Sequence, residues 1–186
     1  MKKINGTLIA TFLLGLAVGA GTLFVFYRPA ENKIDDIIVA PLEVRGERVN
    51  EDTFRYENEE YAFSLEYPNT LTVYEFNEGQ ESITIVFENR GKEEGFQIFV
   101  TPYGEDTISN ERIAKDIPSG VMENPIEILL GKEKNIRALH FSSYAPIIGT
   151  STEVWFLGND YLYEVTTYSA YDTEIGKILS TLDFIK

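Results

Sequence analysis

The chain has no cysteine and a single histidine, His140, among its 186 residues. The absence of cysteine excludes disulfides, thiolate metal sites, a cysteine nucleophile and a lipid-modified N-terminal cysteine. One histidine supplies too few nitrogen ligands for a zinc site, and a hydrolase triad would need it beside an activated serine. We therefore predict no metal and no catalysis at His140, and we expect packing alone to stabilise the folded part.

Positive charge is also scarce, since 16 Lys and Arg residues stand against 30 Asp and Glu residues, for a formal net charge of −14. Nucleic acid and a flat anionic membrane surface both attract basic patches, so neither is an expected partner. With 44% hydrophobic and 13% aromatic residues, the chain can bury the core of one domain of ordinary size. The composition predicts an acidic domain that does not bind nucleic acid.

Motifs that mark catalytic or cofactor sites are missing as well. There is no G-x-S-x-G sequence, no EF-hand loop and no phosphate-cradling glycine loop. A glycosidase needs two carboxyl groups that face each other across a cleft, whereas the adjacent carboxylates of this chain fall in predicted loops or turns. These pairs are Glu59/Glu60, Glu93/Glu94 and Glu105/Asp106. We predict no catalytic residue, no cofactor and no metal ligand.

One long stretch carries no charge at all, the 24 residues from Ile4 to Tyr27. As a helix they would extend roughly 36 Å, enough to cross a hydrocarbon core of about 30 Å. Lys2 and Lys3 precede the stretch, so the positive-inside rule keeps the N-terminus in the cytoplasm and sends the rest outside. Residues 1–30 are therefore predicted to be a transmembrane anchor of a single-pass membrane protein with an extracytoplasmic C-terminal domain.

Two other interpretations of this segment stay open. A signal peptide cleaved at the small residues Val18 and Ala20 would make the domain secreted, although the apolar run continues for seven residues past Ala20. A type IV pilin-like leader would end at Gly6. Thr11, however, stands where pilins carry a glutamate, and Pro29 stops the helix that pilins continue.

Residues 31–53 are charged and polar and are predicted to be an extracytoplasmic linker, and residues 54–186 a single domain. Short strand-like runs fill this domain, at residues 61–67, 71–76, 81–88, 95–101, 126–130, 135–143, 152–157 and 161–168. Ser109 is the expected N-cap of a helix after the fourth run, and Asp172 begins an amphipathic helix after the last. The predicted fold class is α+β, an antiparallel sheet packed with helices.

The two ends of this domain resemble a known family. Tyr61-Ala-Phe-Ser-Leu-Glu-Tyr-Pro68 is similar to the opening motif of PsbP-like domains, and Ile178-Leu-Ser-Thr-Leu-Asp-Phe184 is similar to their closing helix and last strand. The resemblance implies an α/β/α sandwich around an antiparallel sheet. The family includes an extrinsic subunit of photosystem II and many small exported bacterial proteins, and the resemblance assigns no functional residue to this chain.

Aromatic residues concentrate in the last third of the chain, at Tyr144, Trp155, Tyr161, Tyr163, Tyr168 and Tyr171. Aromatics on neighbouring strands either form a binding platform or pack a core, and packing is their commoner use. If a binding face exists, we expect it in this second set of strands together with the apolar loop from Ala145 to Ser151.

The resulting hypothesis is a non-catalytic accessory or binding module of an envelope complex, with an envelope protein as its partner. One alternative is an enzyme that acts on an envelope polymer through acidic residues, which predicts a carboxyl group with a raised pKa inside a cleft. The other is a pilin-like structural protein that self-assembles through a GxxxG face at Gly15 and Gly19.

Overall fold

The structure is a computed structural model that describes residues 41–89, 92, 94–117, 122–145, 149–168 and 171–185. Within these residues the chain forms twelve strands and two helices of seven and eight residues. The strands are β1 (Leu42–Val44), β2 (Glu47–Arg48), β3 (Thr53–Asn58), β4 (Phe63–Pro68), β5 (Thr72–Gly79), β6 (Ser82–Asn89), β7 (Glu94–Pro102), β8 (Glu123–Leu130), β9 (Ile136–Ala145), β10 (Gly149–Gly158), β11 (Tyr161–Tyr168) and β12 (Asp183–Phe184). The helices are α1 (Asn110–Asp116) and α2 (Asp172–Leu179).

Two antiparallel sheets contain all of these strands. The larger sheet has eight strands in the order β1-β5-β6-β7-β11-β10-β9-β8, and the smaller has four in the order β12-β4-β3-β2. Side chains alternate between the two faces of a strand. We call the face of the large sheet that carries Ile85, Ile98 and Tyr163 the inner face, and the opposite face, which carries Trp155, the outer face.

The main core lies between the inner face, the small sheet and α2. Tyr56, Phe63 and Leu65 of the small sheet and Ile175 and Ile178 of α2 belong to the same buried cluster as the inner-face residues. The expected α+β fold with helices packed over the sheet is therefore wrong, and the described part of the chain is a β-rich sandwich. The physical reason is the small sheet, which covers much of the surface that we expected helices to cover.

A second, smaller apolar cluster lies on the outer face. There Ile113 of α1 and the adjacent Ile117 pack with Phe141, Trp155 and Leu162. The predicted N-cap of α1 is confirmed, since the backbone N–H of Arg112 donates to the Ser109 hydroxyl over 3.1 Å.

The predicted anchor at residues 1–30 lies outside the described residues. Among the residues that are described, no helix is long and apolar enough to cross a membrane. Strands β1 and β2 fall within the stretch 31–53 that was predicted to be a linker, and they pair with β5 and β3.

Candidate functional site

Trp155 and Tyr163, two of the aromatic residues that we considered as a platform, lie on opposite faces of the large sheet. In the pairing of β10 with β11, Trp155 is opposite Glu164 while Tyr163 is opposite Phe156. Their exposed fractions are 1% and 0%, respectively. Because one ring packs under α1 and the other in the main core, the two do not form one binding surface.

The other aromatic residues are also separated. Tyr171 is buried in the main core, Tyr161 packs edge-on against Tyr61 with ring centroids 5.2 Å apart, and Tyr144 is exposed. The side chain of Tyr168 and loop residues 146–148 lie outside the described residues. Five of the six aromatic side chains are described. Three of them, Trp155, Tyr163 and Tyr171, are buried by packing, and a fourth, Tyr161, packs against Tyr61.

His140 lies on the inner face of the large sheet, at the margin of the main core. Its Nε2 is 3.5 Å from Oδ1 of Asp172, and its buried Nδ1 has no hydrogen-bond partner. Among the described residues, no group of three His, Cys, Asp or Glu side chains is arranged to hold a metal ion. The geometry at His140 is that of one weak polar contact.

The paired carboxylates are dispersed over the surface. Glu59 and Glu60 are exposed in the turn between β3 and β4, and Glu105 and Asp106 are exposed after β7. Glu93 lies outside the described residues. The described pairs therefore do not face one another across a cleft.

Glu153 is a buried carboxylate that the sequence reasoning missed. It points from β10 to the outer face with an exposed fraction of only 2%. Ser143 and Ser151 donate to its Oε1 over 2.9 and 2.7 Å, and Thr166 donates to its Oε2 over 2.8 Å. The indole N–H of Trp155 is a longer fourth donor at 3.4 Å.

Burial raises the pKa of the Glu153 carboxyl, and the hydrogen bonds from these neutral donors lower it in part. The donors come from β9, β10 and β11, so the carboxylate joins three adjacent strands. An acid or base that acts on a substrate must reach it within hydrogen-bond distance. With an exposed fraction of 2%, the Glu153 carboxyl cannot come within hydrogen-bond distance of a substrate. The arrangement is typical of a structural role.

Arg112 connects α1 to the outer face. Its guanidinium forms an ion pair with Asp116 one turn further along the helix and a second with Glu164 of β11 at 3.3 Å. It also lies over the ring of Tyr103, 5.6 Å from the centroid. Because the carboxyl groups of Asp116 and Glu164 are mostly buried, removing the arginine would cost several kcal/mol, about 3–5 by comparison with other buried pairs.

Strand β8 is the one long strand at an edge of either described sheet. The other three edge strands, β1, β2 and β12, have three, two and two residues, whereas β8 has eight. Two of its apolar side chains are exposed, Ile126 at 55% and Leu129 at 58%. Long edge strands with exposed apolar residues are templates for pairing with another chain, and proteins normally protect such edges with short strands, charges, prolines or bulges. This edge is the strongest candidate for a binding surface.

A groove of about 530 Å³ adjoins β8 and lies largely on the outer face. Leu139, Trp155 and Leu157 of β9 and β10 are among its apolar lining residues. Three charged residues also line it: Asp106, Glu127 and Arg137. The size and the apolar lining with a few polar groups are typical of a binding site.

These three charges are free to meet a ligand. Within the part of the chain that is described, Asp106, Glu127 and Arg137 take part in none of the ion pairs. Other charged groups nearby are engaged, as Lys132 is with Glu66 at 3.4 Å. We refer to β8 together with this groove as the β8 surface.

Comparisons with known proteins find a likeness in structure only. No protein-family model matches the chain, and no curated protein matches its sequence. The solution structure of cyanobacterial PsbP (CyanoP) from Synechocystis sp. PCC 6803 is similar, with a TM-score of 0.52 and 11% sequence identity. The match covers 76% of this chain and 97% of CyanoP. At this identity the likeness concerns the fold alone, and the chain has a PsbP-like fold.

Proposed function

We propose that this protein is a non-catalytic accessory or binding module of an envelope complex. The observation that carries the proposal is the β8 surface, an eight-residue edge strand with exposed apolar side chains beside a groove whose charged side chains form no ion pair among the described residues. Contiguous exposed apolar residues with a polar rim mark protein–protein contact sites. The other edge strands of the two described sheets have only two or three residues, which sets β8 apart.

The location is the second part of the proposal. The uncharged stretch from Ile4 to Tyr27, preceded by Lys2 and Lys3, supports a membrane tether with the C-terminal domain outside the cytoplasm. The absence of cysteine and the formal charge of −14 agree with a domain that is stabilised by packing and repelled by anionic lipid.

Membership of the PsbP-like family is the third part. The motifs at residues 61–68 and 178–184 support it, together with the fold likeness to CyanoP. The second motif falls where α2 ends and β12 begins, and the first falls on β4 and the turn before it. Both motifs therefore take part in the small sheet and its connection to α2.

Binding is favoured over catalysis by the position of Glu153. An enzyme that acts on an envelope polymer through acidic residues would need a carboxyl group with a raised pKa in an accessible cleft. Glu153 has a raised pKa but is enclosed, and it does not line the groove. Asp106 and Glu127 line the groove but come from different parts of the chain, the loop after β7 and strand β8.

The test is purification of the tagged full-length protein from its native membranes, followed by mass spectrometry. We expect recovery from the membrane fraction with one stoichiometric protein partner, and cleavage of the domain by protease added outside intact cells. Recovery without any partner, or a domain protected from external protease, would contradict the proposal.

A further inference from the structure

We propose that the β8 surface binds an extended segment of the partner protein as an additional strand of the large sheet, and that this segment carries apolar residues together with a lysine or arginine opposite Glu127. The inference rests on the proposed function and deepens it, because it names the docking mode and the chemistry of the partner.

The backbone of β8 supports strand addition. In an antiparallel sheet, alternate residues of an edge strand direct their N–H and C=O groups away from the neighbouring strand. Pro125 and a register shift between Glu123 and Ile126 interrupt the first part of the strand. From there the register is regular, with Ile126 opposite His140 and Leu130 opposite Ile136. Residues 126–130 thus form a regular stretch of edge without a proline or a register shift.

The side chains of β8 would contact the added strand on both faces. Ile126 is exposed on the inner-face side and Leu129 on the outer-face side, where Glu127 also points. Side chains directly opposite one another in a strand pair lie about 4.5–5.5 Å apart at Cβ. An added strand therefore places apolar residues against Ile126 and Leu129 and one residue against Glu127. Long outer-face side chains reach the groove.

The charged residues that line the groove indicate which kind of segment binds there. The groove is lined by two carboxylates, Asp106 and Glu127, against one guanidinium, that of Arg137. A basic residue of the incoming strand pairs with Glu127, and an acidic one would be repelled. A second copy of this chain is disfavoured, because it would add another formal charge of −14 and bring each copy's Glu123 and Glu127 to a common edge.

The probe is a library of displayed twelve-residue random peptides, selected against the full-length protein in nanodiscs. We expect enriched sequences to be rich in apolar residues and to contain a lysine or arginine among them. The best peptide is then synthesised in two forms, one ordinary and one with N-methyl groups at alternate residues. N-methylation keeps every side chain but removes the N–H groups that strand pairing needs, so the methylated form should not bind detectably.

Two pairs of variants locate the site. Glu127→Lys and Leu129→Ser change β8, whereas Glu43→Lys and Leu42→Ser make the same changes on β1, the opposite edge of the same sheet. All four side chains are exposed, so the fold should tolerate each change. We expect the β8 variants to weaken binding by about tenfold or more and the β1 variants to leave it unchanged.

Equal effects at both edges, or binding of the N-methylated peptide, would overturn the proposal, as would a failure to enrich any peptide. A wild-type dimer that Leu129→Ser converts to a monomer would also overturn it, because the occupant would then be a second copy. If the β8 variants still co-purify with the native partner, the accessory function stands and this docking surface is wrong. If no partner co-purifies with wild type, the proposed function itself fails.

Discussion

Glu153 makes the stability of the domain depend on pH. Burial raises its pKa in the folded state above the ordinary value of 4.5. A raised carboxyl pKa means that the folded protein holds this proton more tightly than the unfolded chain does. The resulting contribution to stability is fully present below pH 4.5 and is lost as the pH rises through the folded-state pKa.

Glu153→Gln should therefore abolish this pH dependence. The free energy of unfolding of wild type, relative to that of the glutamine variant, should fall as the pH rises from about 4.5 and then become constant. At neutral pH the variant should lie within about 1 kcal/mol of wild type, because the serine hydroxyls can accept from the new amide while its oxygen serves Thr166 and Trp155. Urea denaturation between pH 4 and pH 8 measures both quantities.

The control is Glu153→Ala, which removes the acceptor and leaves the hydroxyls and the Trp155 indole N–H to find other partners. It should cost about 2–4 kcal/mol at neutral pH. An alanine variant as stable as the glutamine variant would contradict the account of Glu153 as the acceptor that joins β9, β10 and β11.

The sequence could not have identified Glu153. Glu153 is a charged residue between Thr152 and Val154 in a strand-like run, and a charged residue at such a position indicates a solvent-facing side chain. Its burial depends on Ser143 and Thr166, which reach it only through the pairing of three strands. The sequence pattern around a single polar residue of a strand is the same whether its face of the sheet is exposed to solvent or buried.

The junction between the hairpin of β10 and β11 and strand β12 relies on a close approach at Gly158. A Cβ added there would lie 2.1 Å from Cζ of Phe184, whose ring packs 5.6 Å from that of Tyr163. Phe184 is also one of only two residues that pair β12 with β4. A side chain at residue 158 must therefore displace the Phe184 ring or the strand that carries it.

Gly158→Ala should lower the free energy of unfolding by about 1–3 kcal/mol, the usual cost of overpacking. Gly104→Ala is the matched control, since no atom lies within 4 Å of its added Cβ, and it should change stability by less than about 0.5 kcal/mol. Adding Phe184→Leu to Gly158→Ala should recover part of the loss. Equal stability of the two alanine variants would disprove the close contact.

Most helices and strands could be predicted from the sequence, because each is specified by a pattern of neighbouring residues. The strand runs predicted at residues 81–88 and 95–101 are β6 and β7, and the helix predicted from Asp172 is α2. Each has a clear period and flanking turn residues. The strand pattern around Phe54 and Tyr56 was missed, although both residues point toward the apolar interior in β3.

The pairing of these strands and the packing of the two sheets could not be predicted from the sequence. The small sheet pairs β12 with β4, strands about 120 residues apart in the chain, and no local pattern encodes that pairing. Without the small sheet, the order of strands and helices indicated an α+β fold, which is wrong. The aromatic residues showed the same limit, since register alone decides that Trp155 and Tyr163 face opposite sides.

At the scale of the whole molecule, net charge opposes folding. A formal charge of −14 makes the compact state repel itself, and salt screens that repulsion. We expect the free energy of unfolding to rise by about 1 kcal/mol between about 0.01 and 0.5 M NaCl. KCl should act equally, because screening does not depend on the identity of the cation. A decrease in stability with either salt would mean that attractive ion pairs dominate instead.

The same charge bears on recognition. The proposed binding of a basic, extended segment at β8 would be favoured at long range by the field of an acidic domain. Repulsion between copies that each carry a formal charge of −14 opposes pairing of the domain with itself. The proposed tether at Ile4–Tyr27 would hold this edge near partners in the same membrane.

The central claim is that the chain binds an envelope protein through β8, and cross-linking in the native cell tests it most directly. A photo-reactive amino acid is placed at Leu129 on β8 or, as a control, at Leu42 on β1, which is similarly exposed. We predict that irradiation joins the Leu129 form to one protein species and leaves the Leu42 form uncrosslinked. Equal cross-linking from both positions, or none from Leu129, would contradict the claim.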